Sequence, residues 1–523
     1  MQPYALTVDK FLTHAAKWHS DVEVVSAGPS GETQRIGYAD FCRRANRLSG
    51  ALTARGLAIG DRVATLAWNT QHHLEMYYGV MGAGLVCHTL NPRLTVAHLA
   101  AMVNEAGDRM LAVGTGLPDL ARELMFHCPS IESVVLMDGA HDGAEPFGNR
   151  RTFEFEKLLA EFGSEMRWGA FDENAPAGLC YTSGTTGPPK GVLYTHRSNY
   201  LHTLRALQAD AFALTAADCV LVAVPMFHAN GWGIPFSAPA VGAKIVLPGR
   251  HTDGALLAKL IREEGVTVAA GVPTVWQGLL EHLETAGGDV PTLERVTIGG
   301  SACPDILIRR MEERFEARIQ TSWGMTELSP LGTIAPAYGR ERAVALGRPA
   351  LGLDLKLTNA AGATLPQQRN VVGHLKVKGA SAVDRYFKAE ADAVDSEGYF
   401  DTGDLASIDD HGNLTLSGRS KDLIKSGGEW INPTEIEAIV GRLAGVGQVA
   451  VIGKADPKWG ERPILIVEPQ GSHKLDDGVL LGALRGVVMD WWIPDQVIQV
   501  AHMPLAATGK IDKNRLRAEY ASV

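Results

Sequence analysis

Long apolar runs, paired cysteines and blocks of like charge are all missing from this 523-residue chain. The most apolar windows, near Tyr78–Leu90 and Cys219–Phe227, are too short or too interrupted to span a bilayer, so no membrane span is expected. The six cysteines (Cys42, Cys87, Cys128, Cys180, Cys219, Cys303) form no CxxC pair and no Cys/His cluster. That spacing argues against a zinc site and fits reduced thiols in a cytoplasmic protein. The N-terminus lacks a basic patch followed by an apolar core, so no secretory signal is expected. Basic residues number 49 against 59 acidic, a net charge of −10 without long single-sign blocks. A general nucleic-acid surface is disfavoured, whereas a local basic pocket for a phosphorylated ligand is compatible with it. Fixed-period repeats and low-complexity segments are also missing.

What remains is a chain with 46% hydrophobic and 21% charged residues, 57 Gly and 26 Pro, the balance of a soluble globular enzyme. Its length exceeds what one hydrophobic core supports, which predicts two or three domains. Short apolar runs at Arg62–Ala67, Cys219–Val224 and Ala243–Leu247 read as buried strands, and they alternate with helical patterns at Asp40–Arg55, Asp253–Glu264 and Asp305–Ala317. This alternation predicts an α/β architecture with substantial parallel sheet. The texture changes near residue 418. Gly398–Asp404 and Asp409–Asn413 read as turns, after which a charged segment, Gly418–Asp422, leads to a helix at Pro433–Leu443 and a strand at Gln448–Ile452. The expected division is a large N-terminal domain over 1–419 and a small α+β domain over 420–523, with a hinge at Ser420–Asp422.

The strongest local signal is Tyr181-Thr182-Ser183-Gly184-Thr185-Thr186-Gly187-Pro188-Pro189-Lys190-Gly191. Two hydroxyl clusters, three glycines and a lysine in eleven residues can wrap N–H, O–H and ammonium groups around phosphate oxygens. A plain surface turn would explain the glycines but not the donors beside a lysine. A P-loop is excluded by spacing, because Lys190 is followed by Gly191 and not by Ser or Thr.

With four further motifs in order, Thr321-Ser322-Trp323-Gly324-Met325-Thr326-Glu327, Tyr399–Asp404, Gly418–Asp422 and Thr508-Gly509-Lys510, the chain resembles the adenylate-forming superfamily of acyl-CoA synthetases, adenylation domains and luciferases. The resemblance implies two half-reactions, attack of a carboxylate on the α-phosphate of ATP and then attack of a thiol on the acyl-adenylate. An anion approaching a polyanion needs cations and oriented donors more than a base. By resemblance, Thr182, Ser183, Gly184, Thr185, Thr186, Gly187 and Lys190 wrap the phosphates. Thr182 and Glu327 hold Mg²⁺, and Thr326 donates to the α-phosphate. Trp323, with Gly324 and Met325, lies against adenine, and Asp404 and Arg419 serve the ribose. Lys510 bridges the carboxylate and α-phosphate. Taken alone, Trp323 also reads as a core tryptophan, Asp404 as turn chemistry and Lys510 as a solvated lysine.

The resemblance further implies rotation of the small domain about Lys421, which brings Gly427, Gly428 and Trp430 to a pantetheine tunnel. Val224-Pro225-Met226-Phe227-His228-Ala229-Asn230-Gly231-Trp232-Gly233 is similar to the acyl-pocket stretch of the fatty-acyl-CoA synthetase branch. There Trp232 gates the channel, His228 packs beside the carboxylate, and Gly299, Gly300, Ser301 and Ala302 line the walls; alone, His228 reads equally as a core histidine. His374, Lys378 and Leu505 depart from the family pattern at peripheral places. The expected activity is an AMP-forming acyl-CoA synthetase using ATP, Mg²⁺ and coenzyme A on a medium-chain, fatty or aryl-alkyl acid. The alternative is an acyl-AMP ligase that loads a separate carrier protein. A homodimer is implied only by analogy with the fatty-acyl branch.

Overall fold

The computed structural model describes residues 2–28, 32–138, 147–182, 189–338, 346–427, 429–471, 474–506 and 510–521. Of the residues singled out above, Ser183, Gly184, Thr185, Thr186, Gly187, Gly428, Thr508 and Gly509 lie outside the described residues. Two large sheets organise the N-terminal part. In one, nine strands run in the order Arg348–Pro349, Leu331–Ile334, Arg318–Gly324, Arg295–Ile298, Val268–Gly271, Cys219–Val222, Lys244–Leu247, Glu23–Ala27, Thr33–Gly37. Its six inner strands, from Arg318–Gly324 to Glu23–Ala27, are parallel, and antiparallel strands close both edges. In the other, seven strands are parallel except for the hairpin of Pro176–Tyr181 and Gly191–Thr195.

Fully buried parallel strands require apolar residues on both faces, which is why Arg62–Leu66 and Cys219–Val222 read as continuous apolar runs. Between the sheets, the helix Gln71–Gly82 is buried at every position except His72, and it packs in one core with the helices Asp9–Trp18 and Tyr38–Ala54. Helix boundaries follow capping chemistry. Asp253 accepts from the Leu256 amide at 3.1 Å, so the helix begins one residue later than its periodicity predicts, at Gly254.

A four-stranded antiparallel sheet, Leu353–Thr358, Gly373–Gly379, Phe400–Ile408 and Leu414–Arg419, follows. Here one expectation is corrected. Asp401–Asp404 is not a turn between strands but a bulge inside Phe400–Ile408: His374 pairs with Leu405 and Lys376 with Asp401, so the bulged strand carries extra residues, and Gly403 takes φ +70°. Asp and Gly signal a local bend, and sequence alone does not tell a bend between strands from one within a strand. The 3₁₀ turn Ser420–Asp422 then leads into a small unit with the strands Glu429–Ile431, Ile424–Ser426, Gly460–Pro469, Val446–Asp456 and Gln496–Gln499, and the helices Pro433–Val440 and Lys513–Tyr520. Among the described residues no helix is long and apolar enough to cross a membrane.

Buried histidines give the fold a pH signature. Burial lowers His73 to about 4 and His196 to about 3. Both are neutral in the folded protein and charge more readily when unfolded, so stability is complete above pH 6.5 and falls as pH drops toward the folded values. Burial also opposes charge on His72, but hydrogen bonds to Asp138 (2.8 Å) and Glu156 (3.1 Å) prevail and raise it to about 9. Its contribution is present below pH 6.5 and disappears as pH rises through 9. Denaturant titrations are expected to give about 2 kcal/mol less stability per buried neutral histidine at pH 5 than at pH 6.5. A His73→Gln variant should lose its own share of that slope.

Candidate active site

The parallel strands of both large sheets end at one cleft, the usual place for a site in open α/β sheets. The cleft holds a cavity of about 370 Å³ whose walls include Trp68, Arg93, His228, Trp232, Gly300, Trp323, Gly324, Met325, Thr326 and Lys510. Residues from distant parts of the chain, including the small C-terminal unit, therefore share one space.

The segment leading to His228 is fixed from below. The Asn69 amide donates to the carbonyls of Val222 (2.8 Å) and Val224 (2.7 Å), and its oxygen accepts from the Met226 N–H (2.8 Å). Beyond His228, Ala229, Asn230, Gly231, Trp232 and Gly233 all take positive φ, an uncommon left-handed run that holds the Trp232 indole across the end of strand Arg295–Ile298. A Cβ on Gly299 would lie 2.5 Å from Ser322 Oγ and 3.1 Å from the Trp232 ring, so only glycine fits there. His228 is held neutral: burial, then the charges of Arg93 and Lys510, lower its pKa to about 4. Its Nε2 is buried and has no hydrogen-bond partner among the described residues.

The bulge on Phe400–Ile408 delivers Asp404. Its carboxylate is 3% exposed, accepts from the Trp323 indole N–H at 3.0 Å and pairs with Arg419 Nε at 2.7 Å. Burial raises the Asp404 pKa, while Arg419, the indole hydrogen bond and Lys510 oppose the rise. Lys510 reaches the same cavity from the small unit. The residue as a whole is exposed and lines the cavity, yet burial of its charge, with the Arg419 charge, lowers its pKa against the pull of Asp404 and Glu327.

Glu327 sits in the 3₁₀ turn Thr326–Leu328, 8% exposed, and its Oε1 accepts from the Tyr386 hydroxyl at 2.8 Å. The Tyr386 ring lies 4.8 Å from Lys190 Nζ, so one tyrosine touches both the Glu327 carboxylate and the Lys190 ammonium. Thr182 and Lys190 face each other within the Tyr181–Gly191 segment, with the Thr182 N–H donating to the Lys190 carbonyl at 2.9 Å.

Other residues fall elsewhere. Ser301 and Ala302 are solvent-exposed just past the strand end and are not cavity walls, which corrects their expected place; the strand delivers Gly300, and the remaining wall comes from Val272, Thr274 and Val275 at the next helix start. Trp323 is 6% exposed and bonded to Asp404 while still lining the cavity, so packing in the core does not remove it from the cavity wall. Gly427 and Trp430 do not line the cavity: the Gly427 N–H donates to the Trp459 carbonyl at 2.7 Å, and Trp430 is 52% exposed. Lys421 lies in the connecting 3₁₀ turn. No motif flags Tyr386 or Arg250; Arg250 and Arg93 lie 5.7 and 5.8 Å from the Trp68 ring. Only Arg93, in Asn91-Pro92-Arg93-Leu94, carried a local signal.

The chain matches the AMP-binding enzyme family over residues 11–387 and the AMP-binding enzyme C-terminal domain over 435–510. It is 41% identical to a medium-chain-fatty-acid–CoA ligase of Ectopseudomonas oleovorans, covering 99% of this chain and 96% of that one. Identity is 40% to a 3-methylmercaptopropionyl-CoA ligase of Ruegeria lacuscaerulensis (99% and 98% covered) and 37% to a long-chain-fatty-acid–CoA ligase of Thermus thermophilus (99% and 96%). Among solved structures, ATP-bound MatB from Rhodopseudomonas palustris superposes with a TM-score of 0.86 at 24% identity, covering 99% of both chains. At that identity the likeness concerns the fold.

Proposed function

The chain belongs to the AMP-binding enzyme family, and from that premise we propose that it is an AMP-forming acyl-CoA synthetase acting on a small carboxylic acid. The observation that carries the reading is the meeting of Lys510 with His228 and Thr326 around one cavity, within electrostatic reach of Asp404, Arg419 and Glu327. This is the arrangement that joining two anions requires.

In the first half-reaction the acid enters with its carboxylate toward His228. A neutral imidazole beside a carboxylate neither titrates nor forms an ion pair with it at neutral pH, so His228 packs and orients. The nucleotide ribose would hydrogen-bond to Asp404, whose two oxygens each have one protein donor and one lone pair to spare. Thr326 would donate to the α-phosphate. Lys510 would lie between the attacking carboxylate oxygen and that phosphate, cancelling repulsion as the bond forms and pyrophosphate leaves. The loop over 182–191 would hold the departing β- and γ-phosphates, with Lys190 at its end.

Mg²⁺ suits this site through Glu327. Among the described residues no three His, Cys, Asp or Glu cluster, which fits a hard cation held by one carboxylate, phosphate oxygens and waters better than by a protein cage. When bound, the ion would neutralise phosphate charge. Tyr386 holds Glu327 in place, and Tyr386→Phe is expected to weaken the apparent Mg²⁺ affinity and slow ATP–pyrophosphate exchange about tenfold, the cost of one hydrogen bond to a charged group. Exchange kinetics against Mg²⁺ concentration measure both.

For the second half-reaction the small domain, 420–523, would pivot at Lys421 and carry Gly427 and Trp430 to the cavity mouth, where Arg93 and Arg250 can meet an anionic coenzyme A. The deciding experiment is mass-spectrometric product analysis with ATP, Mg²⁺, coenzyme A and acids from short to long, branched and aryl-alkyl. AMP, pyrophosphate and an acyl-CoA are expected. ADP would overturn the reading, and AMP formation indifferent to coenzyme A would redirect it to a carrier-protein ligase.

A further inference from the structure

One part of the cavity wall carries no motif. Phe212 lines it, is 2% exposed, and packs in the same core as Val224 and Leu331. Its segment is held rigidly by side chains from the starts of two strands. Arg295, 3% exposed, donates to the Phe212 carbonyl at 2.6 Å and is itself paired with Asp218 at 3.1 Å. Gln320, fully buried, donates to the Ala211 carbonyl at 3.0 Å and to the Ala335 carbonyl at 2.9 Å. The Phe212 N–H is tied to the Ala206 carbonyl at 3.0 Å.

The pleat fixes how deep the channel goes. Side chains two apart on a strand share a face, so Ser322, which lines the cavity, stands directly above Gln320. Below Ser322 the sheet face is already occupied by Gln320 and the 211–213 segment it carries. From Gly324 at the reacting end to the floor just below Ser322 is about three residue steps, roughly 10 Å at ~3.3 Å per step. A straight alkyl chain advances ~1.3 Å per carbon, given C–C bonds of ~1.5 Å, so the space takes about eight carbons.

We propose that Phe212 closes the acyl channel and sets its length limit, which makes the substrate class straight-chain acids up to about eight carbons. This rests on the acyl-CoA synthetase reading above. The buried anchors Arg295 and Gln320 keep the floor from yielding to a longer chain: moving Phe212 would strand their hydrogen bonds in the core.

The test is the chain-length profile of kcat/KM for AMP release, butyrate to palmitate, in the full-length enzyme and in Phe212→Ala, Phe212→Leu and Phe212→Trp. In the unsubstituted enzyme kcat/KM is expected to fall at least tenfold from octanoate to dodecanoate. Phe212→Ala should raise the dodecanoate-to-octanoate ratio at least tenfold, Phe212→Leu by less, and Phe212→Trp should move the optimum to shorter acids. Should the alanine variant fail to fold, the leucine and tryptophan variants read the same ratio in opposite directions. Profiles that superpose across the folded variants would overturn the assignment of Phe212 while leaving the synthetase reading intact. No AMP from any acid in any protein would instead defeat the synthetase reading itself.

Discussion

Lys510→Ala is expected to slow acyl-adenylate formation by about 10³-fold, the scale of removing a single preorganised electrostatic contact from a developing charge. The side chain comes from a different folding unit than the rest of the cavity wall and acts electrostatically on both His228 and Asp404. Without it the carboxylate and α-phosphate repel across an otherwise intact pocket, so KM values should move little while kcat collapses. Lys510→Arg should recover little, because a planar fork does not substitute for a compact ammonium between two oxyanions. Burial lowers the Lys510 pKa, so the alkaline limb of the adenylation profile should begin below the ordinary lysine range. ATP–pyrophosphate exchange measures the first step, and thioester formation from supplied acyl-AMP measures the second. The second is expected to survive, and exchange at an undiminished rate would remove Lys510 from the mechanism.

The complementary result is expected from Lys421→Pro. As the chain stands, Lys510 lines the cavity while Gly427 and Trp430, in the same small unit, do not. If the small unit moves as one body, it cannot bring both sets of residues to the cavity at once, so the proposed thiol step would require it to turn. Lys421 lies in the 3₁₀ turn Ser420–Asp422, where Asp422 is tied to Arg517 of the last helix at 2.6 Å. Proline fixes φ near −65°, within the range of a 3₁₀ turn, so the present pose should persist while rotation at that bond is lost. Exchange should stay within about tenfold of the unsubstituted enzyme and thioester formation from acyl-AMP should fall about 10²-fold, a change of ~2.7 kcal/mol in barrier. Equal loss of both steps would place the pivot elsewhere.

Much of this protein was legible before its structure. The alternation of buried strands with amphipathic helices carried the α/β class, because a strand covered on both faces must be apolar throughout. The Tyr181–Gly191 segment, expected to bind phosphate, and the motif around Glu327 are contiguous stretches whose donors and acceptors stand in adjacent residues. Corrections fell where a local pattern has two three-dimensional meanings. Asp401–Asp404 bends the chain within a strand, and Ser301 and Ala302 pass just beyond the strand end that delivers Gly300.

By itself the sequence determined which groups are available: a Gly-, Ser- and Thr-rich segment ending in a lysine, a Glu in the motif around Thr326, a lysine near the C-terminus, and enough apolar strand to build two large sheets. Only the tertiary structure decided which of them meet. Trp323 and Asp404 are 81 residues apart, Tyr386 and Glu327 are 59 apart, and Phe212 is held by Arg295 83 residues away. Such pairs leave no periodic trace in the chain. They are selected when burial forces each polar group to find a partner, and which partner is near depends on how the sheets stack.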